Sequence, residues 1–293
     1  METRQLEYFV AVAEELNFTR AAARLFAVQS TVSAAIASLE QELGAPLFDR
    51  STKRVALTPA GEALLPEARA AIETIDRVRS SVALSAGAIR GRLRVGIFTS
   101  LTVLDLPALF GEFHSRFPLV DLQLSASPQG STGFTDDVRR GLLDVAFMGL
   151  PPVDLAGFAV QEIDTAVFVA VLPTGHPLAG AKHVSVAELV SEPFVDTPVG
   201  FGNRVILERA LARAGLARTV STVVADLGAI PPFVEAGLGI AVIPGSLVFE
   251  TRGTVVVPLK PERLEWTLSV ITREKPSPAA SALLELMRER SVV

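Results

Sequence analysis

The stretch Phe18–Leu43, FTRAAARLFAVQSTVSAAIASLEQEL, contains two short helical patterns separated by the four residues Phe26–Gln29. The second pattern repeats apolar residues at steps of four, three and four, which predicts one buried face of an α-helix: Val32, Ile36, Leu39 and Leu43. The first pattern begins at Thr19, whose hydroxyl suits the N-cap position. Its alanine-rich body would let a second helix approach closely, as a helix-turn-helix requires.

The second helical pattern opens with small or amide-bearing residues that can form hydrogen bonds: Gln29, Ser30, Thr31 and Ser33. In a DNA-binding helix-turn-helix, this end of the second helix points toward base edges in the major groove. A glutamine side chain can read adenine there, and serine or threonine hydroxyls can contact bases or phosphates. An ordinary αα-hairpin would show the same pattern, so this stretch by itself leaves both interpretations open.

Two short strand-like segments follow the helical hairpin. Gly44 is suited to end the helix before them. The segments Pro46–Phe48 and Val55–Leu57 are joined by a polar turn that holds a basic cluster: Arg50, Lys53 and Arg54. A two-stranded turn beside a helix-turn-helix is a wing, and its cations can reach a phosphate or the minor groove. The same charges could also belong to a solvated loop.

A long helix is predicted after the wing. Thr58–Pro59 combines a capping residue with a proline at the first helical position, and the helical pattern continues to about Ser85. Its apolar residues recur at a spacing close to 3.5, which is typical of a helix that pairs with a second copy of itself. We assign these positions to dimerisation: Leu64, Ala68, Ile72, Ile75 and Val78. A dimer would place two recognition helices on a two-fold-related DNA site.

The composition restricts the other functions that the chain can have. Its 293 residues suggest two or three domains, and 49% hydrophobic residues are enough for sizeable cores. The apolar runs are far shorter than the roughly 20 residues that cross a bilayer, and no secretory signal is visible, so we expect a cytoplasmic protein without a membrane partner. The absence of cysteine excludes disulfides, thiolate zinc sites and thiol-based redox sensing. Because the net charge is −5, phosphate contacts must come from local basic residues.

Beyond a hinge at residues 87–91, strand patterns alternate with helix patterns. The order β-α-β-α-β up to Met148 predicts a parallel sheet with helices on both faces. Two strands then follow in quick succession, Phe158–Ile163 and Val167–Leu172, before the alternation restarts. Two α/β lobes joined by two crossovers, near Asp164 and Arg263, are the simplest arrangement.

Roughly the first 85 residues closely resemble the LysR-type transcriptional regulators. The resemblance is carried by RQLEYFVAVAEELNFTRAAARL, VQSTVSAAIASLEQELGAPLFDR and VALTPAGEALLPEA. The remainder resembles the effector domain of the same family through GLLDVAF, LPTGHPLA and VEAGLGIAVIP. The fold class that this implies is α/β, with an N-terminal winged helix-turn-helix and a long linker helix. A two-lobed effector domain, similar to periplasmic solute-binding proteins, would follow.

The resemblance also implies domain boundaries and partners. Residues 1–58 would form the DNA-binding domain, 59–90 the linker helix and hinge, and 91–293 the effector domain. In the latter, lobe I would comprise about 91–163 and 264–293, and lobe II about 164–263. The expected partners are double-stranded promoter DNA, a small-molecule effector and further copies of the chain in a homodimer or homotetramer, with RNA polymerase as an additional candidate.

DNA contacts can be assigned residue by residue from the resemblance. Gln29, Ser30 and Ser33 fall where the family contacts bases and phosphates, Thr19 and Thr31 fall at backbone-contacting positions, and Arg50, Lys53 and Arg54 fall in the wing. The sequence departs from the family where Ser30 replaces a frequent proline and where Ala34 replaces a frequent arginine. Loss of that arginine removes a strong guanine or phosphate contact, so we expect more reliance on the wing and on DNA shape.

The resemblance places a ligand cleft between the lobes, where open α/β sheets bind ligands at the carboxyl ends of their strands. The residues assigned to this cleft lie at predicted strand ends or helix starts: Thr99, Ser100, Gln129, Gly130, Ser131, Met148, Phe201 and Asn203. The hydroxyls of Thr99, Ser100 and Ser131 could bind an anion or could simply cap helices. Because this set contains no arginine or lysine, a strongly anionic effector is not required.

Other functions account for less of the chain. The three histidines do not have a metal-ligand spacing, and no phosphate-binding or dinucleotide-binding glycine motif follows a predicted strand. We therefore expect no enzyme activity, no catalytic residue, no metal and no cofactor. A solute-binding protein without DNA activity would explain residues 91–293 only and would need an export signal. A pure oligomerisation module would explain still less.

Overall fold

The computed structural model describes residues 1–49, 55–84, 89–98, 103–248, 252–260 and 264–291. It divides into two compact units. The first is built on Met1–Ile89, and the second comprises Arg90–Arg139 with Leu143–Val293.

The described part of the first unit contains helices and a short antiparallel ribbon. The helices are α1 (Thr3–Glu15), α2 (Phe18–Arg24), α3 (Gln29–Leu43) and α4 (Pro59–Leu84), and the strands are β1 (Phe48–Asp49) and β2 (Ala56–Leu57). Phe48 pairs with Leu57 across the ribbon, which confirms the two predicted wing strands. The turn between them, with Arg50, Lys53 and Arg54, lies outside the described residues.

The ends of the two hairpin helices are set by local hydrogen bonds. The side-chain oxygen of Asn17 accepts the backbone N–H groups of Thr19 at 2.9 Å and Arg20 at 3.0 Å. The prediction that Thr19 caps α2 is therefore wrong, because Asn17 stands ahead of it and its carbonyl oxygen satisfies two free N–H groups at once. Gly44 ends α3 in the left-handed conformation with φ +69°, as predicted.

A single apolar core holds α1 and the hairpin together. The α3 side chains Val32, Ile36 and Leu39 are completely buried in it, together with Phe9 of α1, which confirms the face that the periodicity predicted. Leu43, the fourth residue of that pattern, lies in the last turn and is 43% exposed. The axes of α2 and α3 differ by 109°, an angle typical of a helix-turn-helix.

The long helix α4 has 26 residues, which corresponds to roughly 39 Å at 1.5 Å per residue. Thr58 caps it as predicted, since its hydroxyl oxygen accepts the Gly61 N–H at 3.1 Å. Gly61 also packs closely against Leu47, because a β-carbon on Gly61 would stand 2.2 Å from the Leu47 carbonyl oxygen. The start of α4 is thereby joined to the segment that leads into the wing.

Part of the predicted dimerisation stripe is used inside the chain. Ala68 is only 1% exposed, and Leu64 and Ile72 pack against the same core as α1. The methyl group of Ala68 is thus already covered by its own unit, and its assignment to a dimer interface stays a prediction. Further along α4, Ile75 is half-buried and Val78 is 60% exposed. These two positions retain the dimerisation assignment as a prediction.

The second unit is a two-lobed α/β structure. Its described strands are β3 (Gly91–Gly96), β4 (Val120–Ser125), β5 (Val145–Met148), β6 (Phe158–Pro173), β7 (Pro193–Asp196), β8 (Thr219–Val223), β9 (Ala241–Pro244), β10 (Thr254–Pro258) and β11 (Glu265–Arg273). Its described helices are α5 (Leu106–Arg116), α6 (Gly130–Arg139), α7 (Val186–Leu189), α8 (Gly202–Arg213), α9 (Ile230–Glu235) and α10 (Pro278–Ser291).

Each lobe has its own sheet order. In lobe I the order is β6-β11-β5-β3-β4, with β3 parallel to β4 and β5, and β11 antiparallel to β5 and β6. In lobe II, β6 pairs antiparallel with β9 and β10, and β7 runs parallel to β8. A bridge between Phe194 and Ile240 links these two groups of strands. The three strands up to Met148 are parallel, as predicted, and the antiparallel strands β11 and β6 make the complete sheet of lobe I mixed.

The long strand β6 passes from one lobe to the other. The prediction of two separate strands here is wrong, because the segment between them pairs continuously with β11, with Asp164 opposite Leu268 and Ala166 opposite Trp266. The crossover predicted near Asp164 lies within this strand. Arg263, where the return crossover was predicted, lies outside the described residues.

The short helix α7 begins with a capping box, which the sequence spacing SVAE at 185–188 predicts. The Ser185 hydroxyl oxygen accepts the Glu188 N–H at 3.3 Å, and the Glu188 carboxylate accepts the Ser185 N–H at 2.7 Å and its hydroxyl at 2.8 Å. These hydrogen bonds, the backbone one foremost, lower the pKa of Glu188 because they stabilise its charged form.

Candidate DNA-reading surface and effector cleft

The N-terminal turn of α3 forms an exposed polar surface on the first unit. Gln29, Ser30 and Thr31 are exposed and Ser33 is partly exposed. The N-cap residue of α3 is Val28, whose side chain makes no capping hydrogen bond. The four polar side chains therefore do not compete with a capping side chain for the first backbone N–H groups. The helix is anchored from behind by its buried apolar face, so these four predicted DNA-contacting residues share one accessible end of α3.

Thr19 lies on the exposed first turn of α2. Its backbone N–H already donates to Asn17, so the backbone amide is engaged within the protein. Its hydroxyl is the group left to contact a phosphate. The predicted role of Thr19 is thereby limited to its side chain.

An ion-pair network fixes the hairpin against its neighbours. Glu14 of α1 accepts Arg24 of α2 at 2.7 Å and Arg69 of α4 at 3.0 Å. Glu15 accepts Arg20 at 3.2 Å. The two arginines of α2 are therefore paired with carboxylates of their own unit, which lowers the positive charge they present to a phosphate. Sequence reasoning missed these pairs, since they join residues on three different helices.

A cavity of about 500 Å³ lies between the lobes of the second unit. Its walls follow the carboxyl ends of strands from both lobes, which is where α/β sheets bind ligands. Lobe I contributes Ile97, Phe98 and Pro128, and lobe II contributes Phe201, Leu227 and Leu247. The surface that these side chains offer is predominantly apolar.

Asp226 is the one ionisable side chain among the described residues that line the cavity. It stands before a short 3₁₀ helix, Leu227–Ala229, where its carboxylate accepts the Gly228 N–H at 2.9 Å. Ser127 adds a hydroxyl on the opposite lobe. The described lining of the cavity therefore combines apolar walls with one carboxylate and one hydroxyl, the mixture of apolar walls and few polar groups that is typical of small-molecule sites.

The predicted effector contacts divide into three groups. Phe201 lines the cavity, whereas Thr99 and Ser100 lie outside the described residues. Ser131 and Met148 are fully buried, and the Ser131 hydroxyl oxygen accepts the Gly149 N–H at 3.2 Å. Protein atoms cover both side chains in this structure, and the assignment of Ser131 and Met148 to a ligand contact stays a prediction.

Asn203 forms buried hydrogen bonds within lobe II. Its side chain is 1% exposed. The amide nitrogen donates to Asp196 at 2.9 Å, and the amide oxygen accepts the Thr197 hydroxyl at 3.0 Å. A buried amide must satisfy its hydrogen bonds, and neighbouring residues of lobe II satisfy those of Asn203 here. Its predicted ligand contact stays a prediction.

Gln129 and Gly130 lie in a loop of lobe I that packs against lobe II. Gly130 has φ +55°, and a β-carbon there would stand 2.5 Å from the ring of Phe201. The Thr132 N–H donates to the Gly200 carbonyl at 3.1 Å across the lobes. Gln129 is exposed and does not line the cavity. The structure thus brings the predicted residues together as a contact between lobes, beside the cavity.

The lining residues that sequence reasoning missed have a recognisable signal. Ala225, Asp226 and Leu227 follow β8, and Leu247 follows β9. The rule that ligands bind at the carboxyl ends of strands points to these positions as directly as to those in lobe I. Of the residues predicted from the sequence, only Phe201 and Asn203 belong to lobe II.

Among the residues that the structure describes, no group of three or more His, Asp or Glu side chains is placed to hold a metal ion. No single described helix is long and apolar enough to cross a bilayer, and only α2 and α3 counted together across their 109° bend reach that length and composition.

An exposed recognition helix beside a wing, followed by a two-lobed unit with a cavity at its strand ends, defines a ligand-responsive DNA-binding regulator. Family models agree in both units: "Bacterial regulatory helix-turn-helix protein, lysR family" matches residues 3–62 and "LysR substrate binding domain" matches residues 86–291. The chain belongs to the LysR family of transcriptional regulators, whose DNA binding or activation responds to a small-molecule effector, and it is not an enzyme.

Individual relatives support the same conclusion along most of the chain. The HTH-type transcriptional regulator ShiR of Corynebacterium glutamicum (strain R) is 38% identical over 273 residues, 90% of each protein. A probable hydrogen peroxide-inducible genes activator of Mycobacterium avium is 36% identical over 247 residues, 83% of this chain and 78% of that protein. Full-length CbnR complexed with its target DNA superposes with a TM-score of 0.63 at 26% identity, covering 99% of this chain and 100% of CbnR.

Proposed function

We propose that this regulator reads its promoter DNA through the N-terminal turn of α3 and the wing. The contacts would come from Gln29, Ser30, Thr31 and Ser33 on α3, from the Thr19 hydroxyl, and from Arg50, Lys53 and Arg54. The observation that carries the proposal is the two-sided character of α3. Its apolar face is completely buried against α1, while its first turn presents hydrogen-bonding side chains to the outside.

We further propose that the effector is a small, largely apolar molecule without a negative charge, bound in the cavity between the lobes. The apolar walls and the Asp226 carboxylate support this chemistry. A peroxide signal read through a thiol, which the name of the Mycobacterium avium relative could suggest, is excluded because the chain contains no cysteine.

The proposed signal is a change in lobe closure that alters the arrangement of two DNA-binding units. The ligand would contact Phe98 of lobe I and Leu247 of lobe II together, so its affinity would differ between open and closed arrangements. We propose that Ile75 and Val78 of α4 contribute to a homodimer, and that dimers associate into a homotetramer. The regulator would act in the cytoplasm, where its DNA is, with RNA polymerase as a further partner.

A footprint of the purified full-length protein on the DNA flanking its own gene tests the proposal. The protein would be tested with and without a panel of neutral aromatic compounds and their matched carboxylates. We expect protection over a two-fold-related site, and we expect a neutral compound to change the extent of that protection. The Gln29→Ala variant, with its fold checked by circular dichroism, should lose the footprint at the same protein concentration.

Two outcomes would contradict parts of the proposal. Protection that persists unchanged in Gln29→Ala would reject α3 as the reading helix. Protection that responds to the carboxylates and to none of the neutral compounds would reject the proposed effector chemistry while leaving the DNA contacts in place.

A further inference from the structure

Phe26 occupies a backbone conformation that normally belongs to glycine. It follows the end of α2 with φ +51°. Its N–H donates to the Ala23 carbonyl at 3.2 Å, and the Ala27 N–H donates to the Ala22 carbonyl at 2.9 Å. This pair of hydrogen bonds is a Schellman motif, whose left-handed residue is usually glycine because a β-carbon is disfavoured there.

The same residue is also the most exposed large apolar side chain in the described part of the chain. The ring of Phe26 is 99% exposed, so it contributes nothing to the apolar core. A glycine or an asparagine at this position would relieve the backbone strain and remove the exposed ring together. By contrast, α3 ends in the same conformation at Gly44. Folding therefore gives no reason for a phenylalanine at position 26.

The position of Phe26 beside α3 gives a functional reason for a phenylalanine there. It stands three residues before Gln29, so their Cα atoms are separated by at most about 10 Å of extended chain. Val28, which stands between them, is 68% exposed. Phe26 therefore stands close along the chain to the N-terminal turn of α3, the proposed base-reading end.

We propose that Phe26 is a specificity-determining residue that packs against the C5-methyl group of a thymine in the major groove. The thymine methyl is the apolar feature of the groove edge, and phenylalanine is among the side chains that contact it. Burial of the ring against DNA would explain both the exposure and the strain, which are tolerated where function requires them. The inference rests on the proposed role of α3 and adds a base contact outside that helix.

The test measures affinity for the footprinted site with full-length protein at fixed salt. Phe26→Gly should weaken binding roughly tenfold, because the buried ring surface is lost, and should raise the melting temperature of the free protein because the strain is relieved. Leu16→Gly is the matched control. Leu16 is the other non-glycine residue with positive φ (+44°) in the described chain, but it ends α1 and should leave DNA affinity unchanged.

The thymine contact is tested by replacing each thymine of the site in turn with uracil, which removes one methyl group. For the wild type, one such position should lower affinity about fourfold, the effect of one buried methyl. The same substitution should have no effect on Phe26→Gly. If uracil lowered the affinity of Phe26→Gly as much as that of the wild type, the methyl contact would be overturned. The ring would then be assigned to packing against the sugar-phosphate backbone.

Two further results would overturn the inference. One is wild-type DNA affinity in Phe26→Gly together with impaired transcription, which would assign the ring to a protein partner. The other is wild-type affinity with no effect on transcription. In either case, a normal loss in Gln29→Ala would confine the failure to Phe26, whereas no loss in Gln29→Ala would mean that the proposed reading helix itself is wrong.

Discussion

Gly202, the first residue of α8, lies against Gly149, which follows β5. A β-carbon on Gly202 would stand 2.2 Å from the carbonyl oxygen of Gly149, closer than side chains pack in proteins. Gly149 is equally confined, because a β-carbon added to it would stand 1.8 Å from the indole Nε1 of Trp266. Since Gly149 belongs to lobe I and Gly202 to lobe II, the two lobes meet here backbone to backbone.

Gly202→Ala should therefore push the lobes apart. The added methyl group meets backbone atoms, which cannot rotate away, so we expect a loss of about 1–3 kcal/mol in the free energy of unfolding. If lobe closure transmits the effector signal, the variant should also shift the population of closed lobes and with it the response of the footprint to ligand. Thermal unfolding of the full chain and the footprint measure the two effects.

Gly111→Ala is the matched control for this substitution. Gly111 lies within α5, and a β-carbon there would have no atom within 4 Å. Because alanine is a better helix former than glycine by roughly 0.8–1.0 kcal/mol, the variant should be more stable than the wild type. A Gly202→Ala protein as stable as Gly111→Ala would contradict the lobe contact.

Asp226→Asn tests the proposed charge preference of the cavity. Asparagine caps a helix about as well as aspartate, so the 3₁₀ turn should be retained while the negative charge is removed. We expect the preference of the wild type for a neutral ligand over its matched carboxylate to shrink by roughly 1 kcal/mol, the size of one like-charge repulsion in partly solvated surroundings.

The measurement is ligand-induced thermal stabilisation with pairs such as benzyl alcohol and phenylacetate. Asp136→Asn is the control, since Asp136 is exposed, is paired with Arg139 at 2.9 Å on α6 and is not one of the lining residues. If Asp226→Asn and Asp136→Asn changed the preference equally, the cavity carboxylate would have no specific role.

Asp196→Asn should destabilise the second unit strongly. Asp196 is 1% exposed and pairs with Arg218, whose side chain is 3% exposed. Two nitrogens of Arg218 have no hydrogen-bond partner among the described residues, so Asp196 and the ring of Phe194, 4.8 Å away, are its main counterparts. An amide at position 196 would also turn a donor toward Arg218 or toward Asn203.

Removing the charge of one partner of a buried ion pair costs about 3–5 kcal/mol, and urea denaturation of the full chain would measure the loss. Asp136→Asn again serves as the control, because an exposed pair contributes about 0–1 kcal/mol. Equal midpoints for the two variants would contradict the buried pairing. Asn203→Ala should likewise lower stability, and a change confined to ligand affinity would instead support its predicted role in binding.

Local patterns explain why the first unit could be largely predicted. The buried face of α3 follows from the spacing of Val32, Ile36 and Leu39, because helical periodicity places them on one side wherever the helix packs. The end of α3 at Gly44 could also be predicted, because glycine readily adopts the left-handed conformation that ends a helix. The choice between Asn17 and Thr19 as the cap could not be made from sequence, since both residue types cap well and only the position of the helix start decides.

The effector cleft was predicted less well because it depends on contacts between distant segments. Ser131 and Asn203 stand where ligand-binding residues are expected, but Gly149 and Asp196 take up their hydrogen bonds. No periodic pattern in the sequence predicts these hydrogen bonds. Ala68 shows the same limit, because a helical stripe marks a face for burial without indicating whether its own core or a second copy covers it.

The separate roles of α3 and the wing can be tested by comparing Gln29→Ala with Lys53→Ala. Gln29 is exposed at the start of α3, where an amide can read a base, so its loss should weaken the cognate site by roughly 1–3 kcal/mol and leave random DNA unaffected. Lys53 keeps its sequence-based assignment to a phosphate. Its loss should weaken all sequences alike and should reduce the slope of log affinity against log salt by about one. Titrations on cognate and random duplexes at several salt concentrations give both quantities. Equal losses on random DNA for the two variants would reject the division between a base-reading helix and a phosphate-binding wing.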